Sequence, residues 1–232
     1  MQPKNAPISV MFLIITCLFI TCLLITNIVA GRLVDLGGMV LTADLFLFPV
    51  TYIFGDVLTE VYGFRRARIT IWLGFAANLF MAVFFMAVVR LPWPEFWEQE
   101  PAYLTVLGFA PRLVLASLLA YFVGEFSNAV ILSRLKILTS GRWLWTRTIG
   151  STLVGQALDT LIFMSAAFYG LYSAPIFMSM VAVQYGWKVA YEVLATPFTY
   201  ALVGWLKKRE GEVFDNGISY NPFAITVRSS SQ

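Results

Sequence analysis

Carboxylates, one lysine and several side-chain amides recur at helical spacing inside segments that are otherwise apolar. Asp56 and Glu60 stand at i, i+4, and Glu125 and Asn128 at i, i+3. Gln156 and Asp159 are again at i, i+3, while Gln184, Lys188 and Glu192 follow at i, i+4, i+8, with Tyr185 and Tyr191 beside them. Such spacings put each group on one face of a helix. Asn78 adds a further amide. An ionisable side chain at the centre of a bilayer costs at least about 2.5–3.5 kcal/mol, so each of these needs a partner or a task. Carboxylates accept paired donors, amides donate and accept, and a lysine donates. Together these groups suit reversible binding of a small polar solute. Polar residues also join helices by hydrogen bonds and ion pairs, the reading against which a site must be weighed. A lone Asn or Gln fits that role; the whole set exceeds it. Within a site, Lys188 is expected to neutralise Glu192 or Asp56 rather than touch the solute.

The surrounding composition demands a membrane. Of 232 residues, 59% are hydrophobic and 12% charged, with a net charge of +3. Mean hydropathy is +0.77. A soluble domain of this size cannot hide that much apolar surface. Apolar runs long enough to span a bilayer predict six helices, near 8–30, 43–63, 67–90, 112–134, 147–172 and 176–206. The first run is too long for a signal-peptide core and reads as a retained helix. The fold class expected is all-α: a six-helix transmembrane domain over residues 1–206, then a loose polar cytoplasmic tail over 207–232.

Depth brings the polar groups together. Asp56 precedes Arg65 by nine residues, and Glu125 precedes Arg134 by nine. At 1.5 Å per residue each acid lies about 13.5 Å from the basic layer, near the middle of a core about 30 Å thick. Asp159 lies about 18 Å beyond Arg147, and Lys188 sits mid-helix, so four helices contribute to one layer. Tyr52-Ile-Phe-Gly-Asp56 resembles Tyr121-Phe-Val-Gly-Glu125, a short repeat that hints at duplicated hairpins.

Lysine and arginine set the orientation. With both termini cytoplasmic, the inner side holds Lys4, Arg65, Arg66, Arg68, Arg134, Lys136, Arg142, Arg147, Lys207, Lys208, Arg209 and Arg228; the outer side holds Arg32, Arg90 and Arg112. Residues 91–111 form an outer loop whose Trp93, Phe96 and Trp97 alternate with glutamates, as in an interfacial amphipathic segment. Trp143, Trp145 and Trp205 are expected in the inner aromatic belt. Pro49 and Pro197 are expected to interrupt the second and sixth helices. Gly150, Gly155 and Ala157 offer the fifth a close-packing edge, or ordinary packing. Cys17 and Cys22 are expected to be buried thiols, too far apart along a helix to pair.

The stretch Phe48-Pro-Val-Thr-Tyr-Ile-Phe-Gly-Asp56-Val-Leu-Thr-Glu60-Val-Tyr-Gly63-Phe-Arg65-Arg66-Ala resembles the signature of the queuosine precursor transporters, a vitamin-uptake-like family. The resemblance continues through Gly124-Glu125-Phe-Ser-Asn128, Gln156-Ala-Leu-Asp159-Thr and Tyr185-x-x-Lys188-x-x-Tyr191-Glu192, and covers about residues 10 to 206. It implies six helices, uptake of 7-cyano-7-deazaguanine or its aminomethyl relative, and no cofactor. It also implies kinship with the substrate-binding subunits of energy-coupling-factor transporters.

The expected function is import of a deazapurine base across a bacterial inner membrane. The candidate binding residues are Tyr52, Asp56, Glu60, Trp72, Asn78, Tyr121, Glu125, Asn128, Gln156, Asp159, Gln184, Tyr185, Lys188 and Glu192. Asp159 and Glu125 lead as acceptors for the N1–H and amine pair of the base. A binding subunit needing an external ATPase is the alternative; the chain has no Walker motif. An intramembrane enzyme is the weakest reading, because there are no histidines and no nucleophile–base pair at helical spacing. Expected partners are the small-molecule substrate and the lipid membrane, with no nucleic acid; a homodimer is one option for the assembly.

Overall fold

A computed structural model describes residues 9–30, 32–36, 39–108, 111–170, 173–215 and 218–223. The body is helical: α1 (Val10–Val29), α2 (Phe48–Tyr62), α3 (Phe64–Val88), α4 (Glu100–Leu107), α5 (Pro111–Leu138), α6 (Leu144–Phe168) and α7 (Ala174–Glu210). Between α1 and α2 lie an antiparallel hairpin, β1 (Leu33–Leu36) with β2 (Met39–Thr42), and a 3-10 helix, Ala43–Phe46. Leu33 pairs with Thr42 and Leu36 with Met39.

Among the described residues, five helices, α1, α3, α5, α6 and α7, are long and apolar enough to cross a membrane. The second expected helix differs. Instead of one span over 43–63 there is a 3-10 turn and then the 15-residue α2, only about 22 Å long. Twelve of its residues are buried against neighbouring helices. A helix enclosed by protein need not be apolar, which explains how α2 carries Asp56 and Glu60. Pro49 does not interrupt it. It occupies the first turn, where a missing N–H costs nothing. Pro197 does lie inside α7, yet that helix runs unbroken for 37 residues.

Contacts between helix ends fix their directions. The start of α1 meets the end of α2, with the Phe12 and Tyr62 rings 5.2 Å apart. At that same end, Lys136 of α5, Arg147 of α6 and Lys207 of α7 converge on Glu60. At the other end, Asn27 of α1 bonds Asn78 of α3 and Ser117 of α5. The start of α1 and the end of α7 therefore share one end of the bundle, the end rich in Arg and Lys.

Gly63 permits the reversal from α2 to α3. Its φ of 82° is open mainly to glycine, and a Cβ there would stand 2.8 Å from Asp215 Oδ1. On α1, Phe12, Ile15, Thr16, Phe19, Leu23 and Thr26 form the buried stripe. Cys17 falls outside it and is exposed, while Cys22 is half-buried; both are free, so neither is the buried thiol expected.

The tail departs from expectation as well. Helix α7 passes residue 206 and ends at Glu210, and the described residues beyond it, 211–215 and 218–223, are docked rather than loose. Asp215 Oδ2 accepts from the Phe64 N–H at 2.7 Å and from Ser133 Oγ at 2.6 Å. Arg68 donates to the Asn221 carbonyl at 2.8 Å, and Trp72 Nε1 to the Pro222 carbonyl at 2.9 Å. Tyr220 and Phe223 supply the apolar contacts a purely polar tail would lack: Tyr220 lies 5.2 Å from the Phe64 ring, Phe223 5.7 Å from Trp72. Lys4 and Arg228 lie outside the described residues.

Candidate functional site

The predicted polar residues separate into three groups. The first is a buried layer between α2, α5, α6 and α7. Asp56 Oδ1 accepts from Asn128 Nδ2 at 2.6 Å. Asp159 Oδ2 accepts from Lys188 Nζ at 2.7 Å, so the lysine's partner is Asp159, not Glu192 or Asp56. Asp159 lies nearer the lysine because α6 and α7 pack directly against each other there. The Lys188 ammonium also sits 4.2 Å from the centre of the Phe48 ring. Glu192 is the strongest charged neighbour of Asp56, and Asp159 is the charged neighbour of Glu125.

Close backbone approach makes this layer possible. A Cβ on Gly124 would lie 2.8 Å from Asp159 Cβ and 2.8 Å from the Tyr52 hydroxyl. One on Gly155 would lie 2.9 Å from Asn128 Cβ and 3.1 Å from the Gly124 carbonyl. Small residues on facing helices let α5 and α6 touch, bringing their polar side chains against α2. A Cβ on Gly55 would meet Glu125 Oε2 at 3.0 Å. In the two similar pentapeptides, then, each glycine faces a functional side chain of the other: Gly55 faces Glu125 and Gly124 faces Tyr52. A small void beside Glu125, of order one water in size, is bounded by Phe19, Gly55, Leu58, Thr59 and Ile71.

Several polar atoms in this layer are buried without a hydrogen-bond partner: Tyr52 Oη, Asp56 Oδ2, Asn128 Oδ1, Thr152 Oγ1, Gln156 Oε1 and both carboxylate oxygens of Glu192. Each such atom costs about 1–3 kcal/mol unless something satisfies it. Their concentration in one layer leaves a set of acceptors that a donor-rich molecule could satisfy.

The second group is an ion cluster at the cationic end. Glu60 is fully buried. It receives Arg147 Nη2 at 2.7 Å, Arg147 Nε at 3.1 Å and Lys207 Nζ at 2.6 Å. Lys136 Nζ bonds the Glu60 carbonyl at 2.5 Å and the Val213 carbonyl at 2.6 Å. Arg147 further donates to the Arg142 carbonyl and to Thr139. Glu60 thus belongs to this cluster and not to the layer, although it stands only one turn from Asp56. Nearby Glu212, beyond the end of α7, is partly desolvated, which opposes its ionisation. The Lys207 hydrogen bond and the Lys136 and Lys207 charges outweigh that and hold its carboxyl below the usual glutamate range.

The third group sits at the opposite end. Asn78 accepts from Asn27 Nδ2 at 3.0 Å, and Asn27 Oδ1 accepts from Ser117 at 2.8 Å. Asn78 is a helix-joining residue here. Trp72 is likewise removed from the layer, in an aromatic cluster with Phe75, Phe122 and Phe223. The Tyr121 hydroxyl is spent on the Ile71 carbonyl at 3.0 Å, and that of Tyr185 on the Leu153 carbonyl at 3.2 Å. Gln184 is half-buried on α7.

Phe48, Thr152 and Arg147 were not legible as site or cluster members. Phe48 opens the signature stretch but looked like one more apolar residue. Thr152 is too common a residue to signal anything. Arg147 looked like a surface charge. Asp44 Oδ1 is also buried without a partner, on the 3-10 helix rather than on α2.

Long apolar helices around a buried layer of polar groups define a multi-pass membrane protein. Residues 42–202 match the family described as "putative vitamin uptake transporter". The chain is 32% identical over 176 residues to the "probable queuosine precursor transporter" of Bacillus subtilis, covering 75% of this chain and 77% of that one. It is 28% identical over 180 residues to the "queuosine precursor transporter" of Escherichia coli K12, covering 76% and 79%. A Haemophilus influenzae relative of the same kind is 30% identical over 123 residues, covering 53% of this chain and 49% of its own. No solved structure matches the chain. The chain belongs to the queuosine precursor transporter family and is a transporter, not an enzyme.

Proposed function

We propose that this chain imports a 7-deazaguanine queuosine precursor, 7-cyano-7-deazaguanine or its aminomethyl form, across a bacterial inner membrane. The observation that carries this is the set of open acceptors on Glu192, Asp56, Asn128 and Gln156 in one buried layer. A guanine-type edge presents N1–H and an exocyclic amine side by side, and one carboxylate accepts both. Glu192 has both oxygens open, whereas Asp159 has one committed to Lys188. Glu192 is therefore the preferred bidentate acceptor, with Asp56 and Glu125 beside it, and Asn128 and Gln156 complete the edge. Lys188 and the Gln156 amide supply donors for the base carbonyl. Phe48 and Tyr52, with ring centres 5.6 Å apart, offer a wall for the flat ring.

The directions of α1 and α2 support six crossings, with the hairpin, the 3-10 turn and α2 together making the second. The cationic end is then cytoplasmic, and both termini lie inside.

Binding to the purified protein tests the proposal. A 7-deazaguanine should bind with guanine weaker, while a vitamin does not compete. Equal binding of all three would refute it. Uptake in cells that lack an energy-coupling ATPase module should persist; its loss would make the chain a binding subunit instead.

A further inference from the structure

The buried layer holds four carboxyl groups, Asp56, Glu125, Asp159 and Glu192, and one ammonium, Lys188. Lys188 is committed to Asp159. Among the described residues, no cation stands within ion-pairing distance of Asp56, Glu125 or Glu192. Around Asp56, the facing groups are Glu192 from α7, Glu125 and Asn128 from α5, and Glu60 and Tyr52 from its own helix. Glu60 is already matched by Arg147 and Lys207. Among the described residues no cation pairs with Asp56 or Glu192; Lys188, one turn before Glu192 on α7, is taken by Asp159. Two like charges buried in one layer away from water are costly without a compensating cation. The cyano form of the proposed solute is neutral and cannot supply one, whereas the ammonium of the aminomethyl form would take the proton's place. Asp56 Oδ2 and both Glu192 oxygens have no hydrogen-bond partner, so each is free to carry a hydrogen.

We infer that the Asp56–Glu192 pair takes one proton inward with each solute molecule, making the chain a proton–solute symporter. The inference rests on the solute reading above. The step is a simple transfer: a proton from the outer side forms an O–H bond on one carboxylate, cancelling one negative charge of the pair. With the site open to the cytoplasm that bond breaks, and the proton leaves with the solute. No other bond changes. With the proton on Asp56 Oδ2, both oxygens of Glu192 stay open to accept the base's donors.

Reconstituted vesicles test this. For one proton per solute, each pH unit of acid-outside gradient should raise accumulation of labelled 7-cyano-7-deazaguanine tenfold at equilibrium. Adding the base outside should acidify the lumen, read by a trapped pH dye. Uptake that ignores the pH gradient, or follows a sodium gradient instead, would overturn the inference. Exchange of labelled for unlabelled base at equal pH needs no coupling, so its failure strikes the solute reading alone. An infrared measurement then decides the proton independently. The resting protein at neutral pH should show the C=O stretch of a protonated carboxyl, shifted in D2O and diminished in D56N or E192Q. Absence of that band from the unmodified protein would overturn the inference whatever the solute.

Discussion

Lys188 Nζ and Asp159 Oδ2 lie 2.7 Å apart in the middle of the bundle, each side chain at most 6% exposed. The pair joins α6 to α7 at the depth of the proposed solute. Removing one partner from a buried pair strands the other charge, at a cost of about 3–5 kcal/mol. K188M should lower thermal stability in detergent by that order. The double variant K188M/D159L should recover much of the loss. A single variant with unchanged melting would mean the pair is not buried.

Glu60 is the hub of the cationic end, where it bonds Arg147 and Lys207 and lies 3.9 Å from Lys136. E60A leaves three cations converging without their anion. It should destabilise the protein by a similar amount, with little relief from added salt, because buried pairs are poorly screened. Melting curves at two salt concentrations check this; strong rescue by salt would place the cluster in water.

The docked tail is expected to be structural. D215A removes the acceptor for the Phe64 N–H and for Ser133, costing about 1–3 kcal/mol. Hydrogen exchange at Phe64 should quicken in step. No change in either would restore the loose tail expected from the sequence. The same segment gives an acid dependence. Glu212 is held below its ordinary range, so its contribution is fully present above that range and fades as pH falls through the lowered value. E212Q should flatten the acid limb of stability against pH, measured by melting temperature, by lowering stability at neutral pH while leaving the acid end little altered.

Gly124 and Gly155 predict a steric outcome. A methyl group on Gly124 would lie under 3.0 Å from both Asp159 and Tyr52. G124A and G155A should each cost about 1–3 kcal/mol through overpacking and reduce uptake. Normal transport in both would show that the layer tolerates a wider α5–α6 spacing.

Much of the candidate site is readable in the sequence because charge in an apolar run is costly and therefore conspicuous. Asp56, Glu125, Asn128, Gln156, Asp159, Lys188 and Glu192 were found by that signal, and helical rise placed them at one depth. Rise does not give rotation. It could not show that Glu60, one turn from Asp56, points to Arg147, that Asn78 faces Asn27, or that Trp72 faces the tail. Nor could apolar periodicity resolve the hairpin and 3-10 turn before α2, since a buried helix and a lipid-facing one differ by their neighbours. Asp215 carried no signal, because a single acid in a polar tail looks like any other.

In the proposed mode of binding, open carboxylate and amide acceptors read the donor edge of a deazaguanine. The most direct measurement is competition for labelled 7-cyano-7-deazaguanine on the purified protein. Adenine presents an acceptor where guanine presents N1–H and lacks the 2-amine. Losing a hydrogen bond to a charged group costs about 1.5–3 kcal/mol, or roughly ten- to a hundredfold in affinity. Adenine should compete at least tenfold more weakly than guanine, and E192Q should narrow the difference. Equal competition by adenine and the deazaguanine would contradict it, and would assign the buried acids to helix packing or ion coupling alone.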